Sequence, residues 1–227
     1  MRILAVDTTT PSGSVALLED DRVRGEIGLE TVSTHSSRLL PSIDFLLQAE
    51  GLDLKDLDGF AVSPGPGSFT GLRIGLSTIK SFAFASGKPA ALVSSLLALA
   101  WKQGDRGVRL VCPMLDAKKG EVYAALFETG EGSRIRPIVP PGAYAPEDFL
   151  KLLPVRRNIL FAGSGVELCR RRIQSLFGEK GAFSSRSTFL AAEVGRLGLD
   201  ILRTGRGVDS SEIEPLYYRR SQAEEGR

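Results

Sequence analysis

The sequence predicts an α/β fold built twice, as two halves that each run strand–strand–strand–helix–strand–helix. Three observations point there. Apolar runs of strand length alternate along the chain with longer runs of helical period. A strand ending in aspartate, then a glycine turn, then a second strand occurs at Val6-Asp7 with Gly13-Ser14-Val15-Ala16-Leu17. It recurs at Leu115-Asp116 with Gly120-Glu121-Val122-Tyr123-Ala124. A strand, a glycine-rich hinge and a helix occur around Ser63 to Gly75 (SPGPGSFTGLRIG) and again around Gly163-Ser164-Gly165. Any alternating chain can be cut into matching pieces, but two signatures recurring in one order favour duplication.

Each element has a local reason. Ile3 to Thr8 is a short buried strand, and the turn Thr10-Pro11-Ser12-Gly13 returns it as Ser14 to Leu18. Asp20-Asp21 turns the chain into a third strand, Val23 to Leu29, so the three form an antiparallel meander. In the stretch from Ser36 to Glu50, Leu39, Leu40, Ile43, Leu46 and Leu47 recur at helical spacing, with Ser33 or Thr34 as the cap. Pro41 fits there if the helix begins near Ser37, since first-turn amides have no partners. Gly59 to Val62 is the fourth strand. The helix after the hinge runs to Gly87, where Lys88-Pro89 stops it, and a further strand and helix occupy Ala91 to Lys102.

The second half repeats the order. Leu110 to Leu115, Glu121 to Phe127 and Ile135 to Val139 read as strands, Pro146 to Leu153 as a short helix, and Asn158 to Ala162 as a strand. Val166 to Phe177 is the helix after the second hinge. A long helix from about Thr188 follows, and the polar stretch Ser221 to Arg227 reads as disordered. Two such βββαβα halves describe the actin-like, sugar-kinase-like (ASKHA, ribonuclease H-like) two-lobed architecture. The domain boundary is expected at 106/107. Residues 1–106 form the first lobe; 107–227 form a smaller second lobe whose terminal helix packs back on the first.

Composition narrows the function. The 227 residues, 42% hydrophobic, can bury one generous core or two small ones. A net charge of +2 does not indicate a strongly basic nucleic-acid reader, and Arg170-Arg171-Arg172 reads as a solvated helix face. Cys112 and Cys169 lie in apolar runs and read as small buried hydrophobes of a reducing compartment. The amino-terminal run enters a strand at once, without the length or cleavage site of a signal peptide. The longest apolar stretch, Ala90 to Trp101, is broken by Ser94 and Ser95 and is too short to span a bilayer. A cytoplasmic protein without membrane contact is expected.

Candidate chemistry is sparse. His35 is the single histidine, and no G-x-S-x-G elbow or P-loop accompanies it. His35, Cys112 and Cys169 show no metal-ligand spacing, so no metal site and no catalytic residue are assigned. Asp7, Thr8 and Thr9, with Thr10, could orient Mg²⁺ and donate to phosphate, or could equally form a self-satisfied turn. In the hinge, the amides of Gly65, Gly67 and Ser68 could cradle an anion, but Pro64 and Pro66 withhold donors and no lysine follows. The hinge reads instead as a stiff elbow. It is followed by a helix whose Gly71, Gly75, Ser77 and Thr78 admit a second helix.

Ile3-Leu4-Ala5-Val6-Asp7-Thr8-Thr9, His35-Ser36 with Leu39-Leu40-Pro41, and the run SPGPGSFTGLRIGLSTIKSFAFA resemble the TsaB (YeaZ-like) family. TsaB is the dimerisation subunit of the bacterial TsaB/TsaD/TsaE system that makes threonylcarbamoyladenosine in tRNA. The resemblance is dense in the first half and only an outline in the second. It implies a non-catalytic subunit, without cofactor, that binds and stabilises the TsaD transferase acting on a tRNA adenosine near the anticodon. It also implies docking of the TsaE ATPase on the complex, homodimers in isolation, and only indirect contact with tRNA. The metal-binding histidine pair of TsaD has no counterpart here: His35 is alone, with Arg38 and Leu39 where a second imidazole might be sought. The implied interface uses helices 36–50 and 70–86 through Ser36, Leu39, Leu40, Ile43, Leu46, Leu47, Leu72, Gly75, Thr78 and Phe82. Changing Leu40, or Gly75→Arg, is then expected to abolish pairing and leave the fold intact. The alternative is a self-sufficient actin-fold ATPase or a TsaD-like metallo-enzyme, resting on Asp7 and its threonines.

Overall fold

A computed structural model describes residues 1–30, 35–104, 109–130 and 135–218. The first elements are β1 (Arg2–Asp7), β2 (Ser12–Glu19), β3 (Arg22–Glu30), α1 (His35–Ala49), β4 (Gly59–Val62), α2 (Phe69–Ser86), β5 (Ala90–Leu92) and α3 (Ser95–Gly104). Then come β6 (Leu110–Lys118), β7 (Glu121–Thr129), β8 (Ile135–Tyr144), α4 (Pro146–Lys151), β9 (Ile159–Ala162), α5 (Val166–Phe177), β10 (Gly181–Phe183) and α6 (Ala191–Arg203). The side chains of His35 and Ser36, the caps Ser33 and Thr34, and Ser221 to Arg227 lie outside the described residues.

Two five-stranded sheets result, ordered β3-β2-β1-β4-β5 and β10-β9-β6-β7-β8. Counted from its own first strand, each reads third, second, first, fourth, fifth. In each, a three-stranded antiparallel meander is extended by two parallel strands. The shared order makes the chain a duplicated α/β fold of the actin-like, sugar-kinase-like kind. Contacts group Met1–Ala98 with Ser187–Pro215 as one compact unit, and Leu99–Arg186 with Leu216–Arg227 as the other.

In the first unit the strands alternate large and small apolar side chains, and the two faces of the sheet differ accordingly. Leu4, Val6, Val15, Leu17, Phe60 and Val62 form one face with Leu39, Ile43, Leu72 and Ile79 from α1 and α2. The other face carries Ala61 and Ala91, and there α6 comes close. A Cβ on Gly198 would lie 2.6 Å from that of Ala61, and one on Gly195 would overlap the Leu18 side chain. The start of α6 is satisfied from across the sheet. Its N-cap, Leu190, has no side-chain acceptor, and Ser14 Oγ accepts from the amides of Leu190 (3.1 Å) and Ala191 (2.9 Å). Glu26 Oε1 accepts from Ala192 N–H at 3.2 Å.

Helix α1 begins at His35, so Pro41 sits inside it rather than in its first turn, with its ring on the exposed side. The second unit packs Cys112, Met114, Val122, Leu126, Phe149 and Phe161 against Cys169, Ile173 and Phe177 of α5. Burial pushes the Cys112 thiol well above its usual pKa and raises that of Cys169, so both stay protonated. Strand β8 runs on to Tyr144, beyond the expected Val139, through Pro137, Pro140 and Pro141. It tolerates the missing amides because it is an edge strand. Among the described residues, no helix is long and apolar enough to cross a membrane.

Candidate functional site

The Asp7-Thr8-Thr9 turn leaves the end of β1 and is buried: Asp7 is 0%, and Thr8 and Thr9 are 2%, exposed. Asp7 Oδ1 accepts from Thr9 Oγ1 (2.7 Å) and from Thr9 N–H (3.2 Å), which closes a local turn. Thr8 Oγ1 donates to the carbonyl of Gly71 at 2.7 Å, and Ser68 N–H donates to the Thr9 carbonyl at 2.7 Å. The hinge and the first turn of α2 thus lie directly on this turn. The glycines show how closely. A Cβ on Gly67 would overlap the Thr9 carbonyl oxygen, one on Gly71 the Thr8 carbonyl oxygen, and one on Gly75 the Thr8 hydroxyl. Glycine at every fourth position of this segment clears a groove for the chain's own backbone.

The rest of the hinge is also engaged internally. Ser95, at the start of α3, donates its N–H to the Gly65 carbonyl (3.0 Å) and its hydroxyl to the Pro66 carbonyl (2.6 Å). The amide of Ser68, one of three that could have cradled an anion, is committed to Thr9. Ser68 Oγ caps α2 by accepting from Gly71 N–H at 3.3 Å.

The second unit repeats the device in reduced form. Gly163 and Gly165 lie against the backbone of Met114 and Leu115 at the end of β6, and Asp116 N–H donates to Ser164 Oγ at 3.3 Å. Asp116 is partly exposed, and its carboxylate pairs with Lys118 Nζ at 2.9 Å. Burial alone would raise its pKa, but the Lys118 side-chain and backbone hydrogen bonds outweigh that and lower it.

The ten interface positions expected on α1 and α2 do not share a face. Leu39, Ile43, Leu46, Leu47, Leu72 and Gly75 belong to the buried core of the first unit, where they hold the two helices on the sheet. Leu40 is 53% exposed, Thr78 and Phe82 are half-buried, and the Ser36 side chain is outside the described residues. Gly75→Arg is therefore no clean test of pairing, because any side chain there strikes Thr8. The exposed apolar residues of these helices are Leu40, Phe45, Phe69 and Phe84, the last 80% exposed. A groove of about 530 Å³ between the helices is lined by Leu40, Phe69, Arg73, Ile74, Ser77 and Thr78. The Arg73 guanidinium lies 3.9 Å from the centre of the Phe69 ring. Sequence reasoning marked Ser77 as a position where a second helix could approach, and missed Phe69, Arg73 and Phe84 as part of this face. The spacing of these residues, four, four and seven, is a helical stripe, and it flanks the buried stripe of Leu72, Leu76, Ile79 and Ala83, roughly a quarter turn around the helix. Among the described residues, no three His, Cys, Asp or Glu side chains converge as metal ligands do.

The family model described as "TsaD: tRNA N6-adenosine threonylcarbamoyltransferase" matches residues 25–225. The tRNA threonylcarbamoyladenosine biosynthesis protein TsaB of Bacillus subtilis is 31% identical over 99% of this chain and 96% of its own length. A crystal structure of a Pseudomonas aeruginosa protein with similarity to peptidase YeaZ superposes with a TM-score of 0.82 at 28% identity. It covers 96% of this chain and 99% of that one. Component A of (R)-2-hydroxyglutaryl-CoA dehydratase from Acidaminococcus fermentans, 10% identical with a TM-score of 0.53 over 88% of this chain and 98% of its own, shares the fold alone. The hinge motif, the duplicated topology and full-length similarity converge, and the chain belongs to the TsaB (YeaZ-like) family of tRNA threonylcarbamoyladenosine biosynthesis proteins.

Proposed function

We propose that this chain is a non-catalytic subunit that binds and stabilises the TsaD transferase through the outer face of α1 and α2. The observation that carries the reading is the contrast between two parts of one unit. The aspartate–threonine turn, the best candidate for chemistry, is buried and engaged by the chain's own hinge. The helices beside it present Leu40 and Phe69 at an open groove, with Phe84 exposed further along α2. The same face serves self-association of the isolated chain, and the TsaE ATPase joins the assembly.

Co-purification with TsaD tests this. Leu40→Glu combined with Phe84→Glu places two charges on exposed positions, so it leaves the unfolding free energy within about 1 kcal/mol of the parent and abolishes co-purification. Undiminished recovery of the complex would sink the reading. Calorimetric titration of the isolated chain with Mg-ATP addresses the ATPase alternative, which tight binding with turnover would favour.

A further inference from the structure

The net charge of +2 conceals a division. The unit Leu99–Arg186 with Leu216–Arg227 holds eighteen of the 29 Lys and Arg and eleven of the 27 Asp and Glu, a net +7. The unit Met1–Ala98 with Ser187–Pro215 is correspondingly net −5. Such asymmetry within one chain is an electrostatic signature of a polyanionic partner.

Much of that surplus runs as a track over the basic unit. Among the described residues, Glu128, near the end of β7, has three arginines acting on its carboxylate. Arg136 pairs with its Oε2, Arg157 lies 3.7 Å from its Oε1, and Arg109 is held alongside by the Thr129 N–H to Arg109 carbonyl bond of 2.9 Å. Arg136, then Arg157, then Arg109 hold the Glu128 carboxyl below its usual range. One carboxylate cannot neutralise three guanidiniums, and Arg136 remains 76% and Arg157 47% exposed. A second basic group of the same unit lies on α4 and α5. There Lys151 pairs with Asp148 at 2.8 Å, with the Glu147 carboxylate also acting on it, and Arg172 is near enough to oppose the Lys151 charge. Arginine predominates, and its planar fork fits phosphate oxygens two at a time.

We propose that this arginine track binds the phosphate backbone of RNA directly. RNA as the polyanion rests on the family's place in tRNA modification; the track itself rests on the charge geometry alone. Direct contact goes beyond the indirect role that the resemblance implies, and it makes Arg172 part of a ligand surface rather than merely a solvated helix face.

Fluorescence anisotropy of the full chain, without TsaD, against an unmodified tRNA transcript at several salt concentrations tests this. The parent chain binds with an affinity that falls steeply as salt rises. Arg136→Gln with Arg157→Gln removes two phosphate contacts. It weakens binding roughly tenfold near physiological salt and reduces the slope of log K against log salt by about 1.5. Lys151→Gln with Arg172→Gln, on separate elements, acts in the same direction. Arg22→Gln, exposed on the acidic unit, changes nothing. All these variants still co-purify with TsaD, so failure of the RNA surface is distinguishable from failure of the docking face. The inference is overturned by salt-insensitive or absent binding of the parent chain. It is equally overturned if both double variants bind like the parent, or if the chain prefers phosphatidylserine vesicles to tRNA.

Discussion

Thr8 is gripped from two sides of a single helix turn, by the Gly71 carbonyl through its hydroxyl and by the Gly75 backbone through close packing. Gly71→Ala pushes a methyl group into a carbonyl oxygen, an atom that cannot rotate away. It is expected to cost about 3 kcal/mol or more, read from urea unfolding. Thr8→Val keeps the shape and removes the donor, with an expected cost of about 1–3 kcal/mol. If both variants match the parent, the glycines do not serve the chain's own turn. The sequence marked Gly71 and Gly75 as a close approach but assigned that approach to a second helix. What fills it is the chain's own Thr8-Thr9 turn. The neighbour, Thr8-Thr9, lies about sixty residues earlier, and only the β1–β4 pairing brings it there.

Among the elements, legibility follows how local the determinant is. Helix α5 and strand β4 run between the residues expected, since periodicity and flanking glycines are local signals. Helix α2 begins at Phe69, one residue before the expected 70, because Ser68 supplies a cap there. Strand β10, three residues long, carries no periodic signal and exists because β9 offers an unpaired edge. The faces of α1 and α2 were the hardest to assign. An arc holding Leu39-Leu40 and Leu46-Leu47 is wide enough for two surfaces, and only packing shows that Leu40 points outward while Leu39, Leu46 and Leu47 point in. Caps give a paired test. Ser68→Ala removes a partly buried cap and is expected to cost about 1 kcal/mol. Ser14→Ala strips one buried acceptor from two amides of a helix about 176 positions later, and should cost more, about 2 kcal/mol. Equal midpoints for the two variants would deny Ser14 that role.

For the molecule as a whole, averaged composition misled where patterned composition informed: a near-neutral total hid two units of opposite sign. The pH response follows from groups at both ends of the range. Arg2 lowers the Glu19 carboxyl, the N-terminal ammonium lowers Asp20, and Arg136 lowers Glu128. A carboxyl lowered by folding contributes stability above its usual pKa and loses it as pH falls through the lowered value. These pairs are exposed, so the loss on the acid side is shallow. Cys112 acts in the opposite sense. Its raised pKa favours the folded state fully below about pH 9, and that preference fades as pH rises further. Urea midpoints should therefore stay level between about pH 5 and 9 and decline on either side, with Cys112→Ala reducing the alkaline decline. A midpoint that rises above pH 9 would contradict the buried thiol. Helix α6, seated on the small-residue face of the first sheet, has a consequence for synthesis. A ribosome has translated β1 to β5 long before it reaches residues 191–203, so the nascent sheet waits with one face uncovered until nearly the whole polypeptide has emerged. Chains released early, for instance at Arg186, should precipitate or stay bound to chaperones, while the same fragment co-expressed with 187–227 should be rescued into solution.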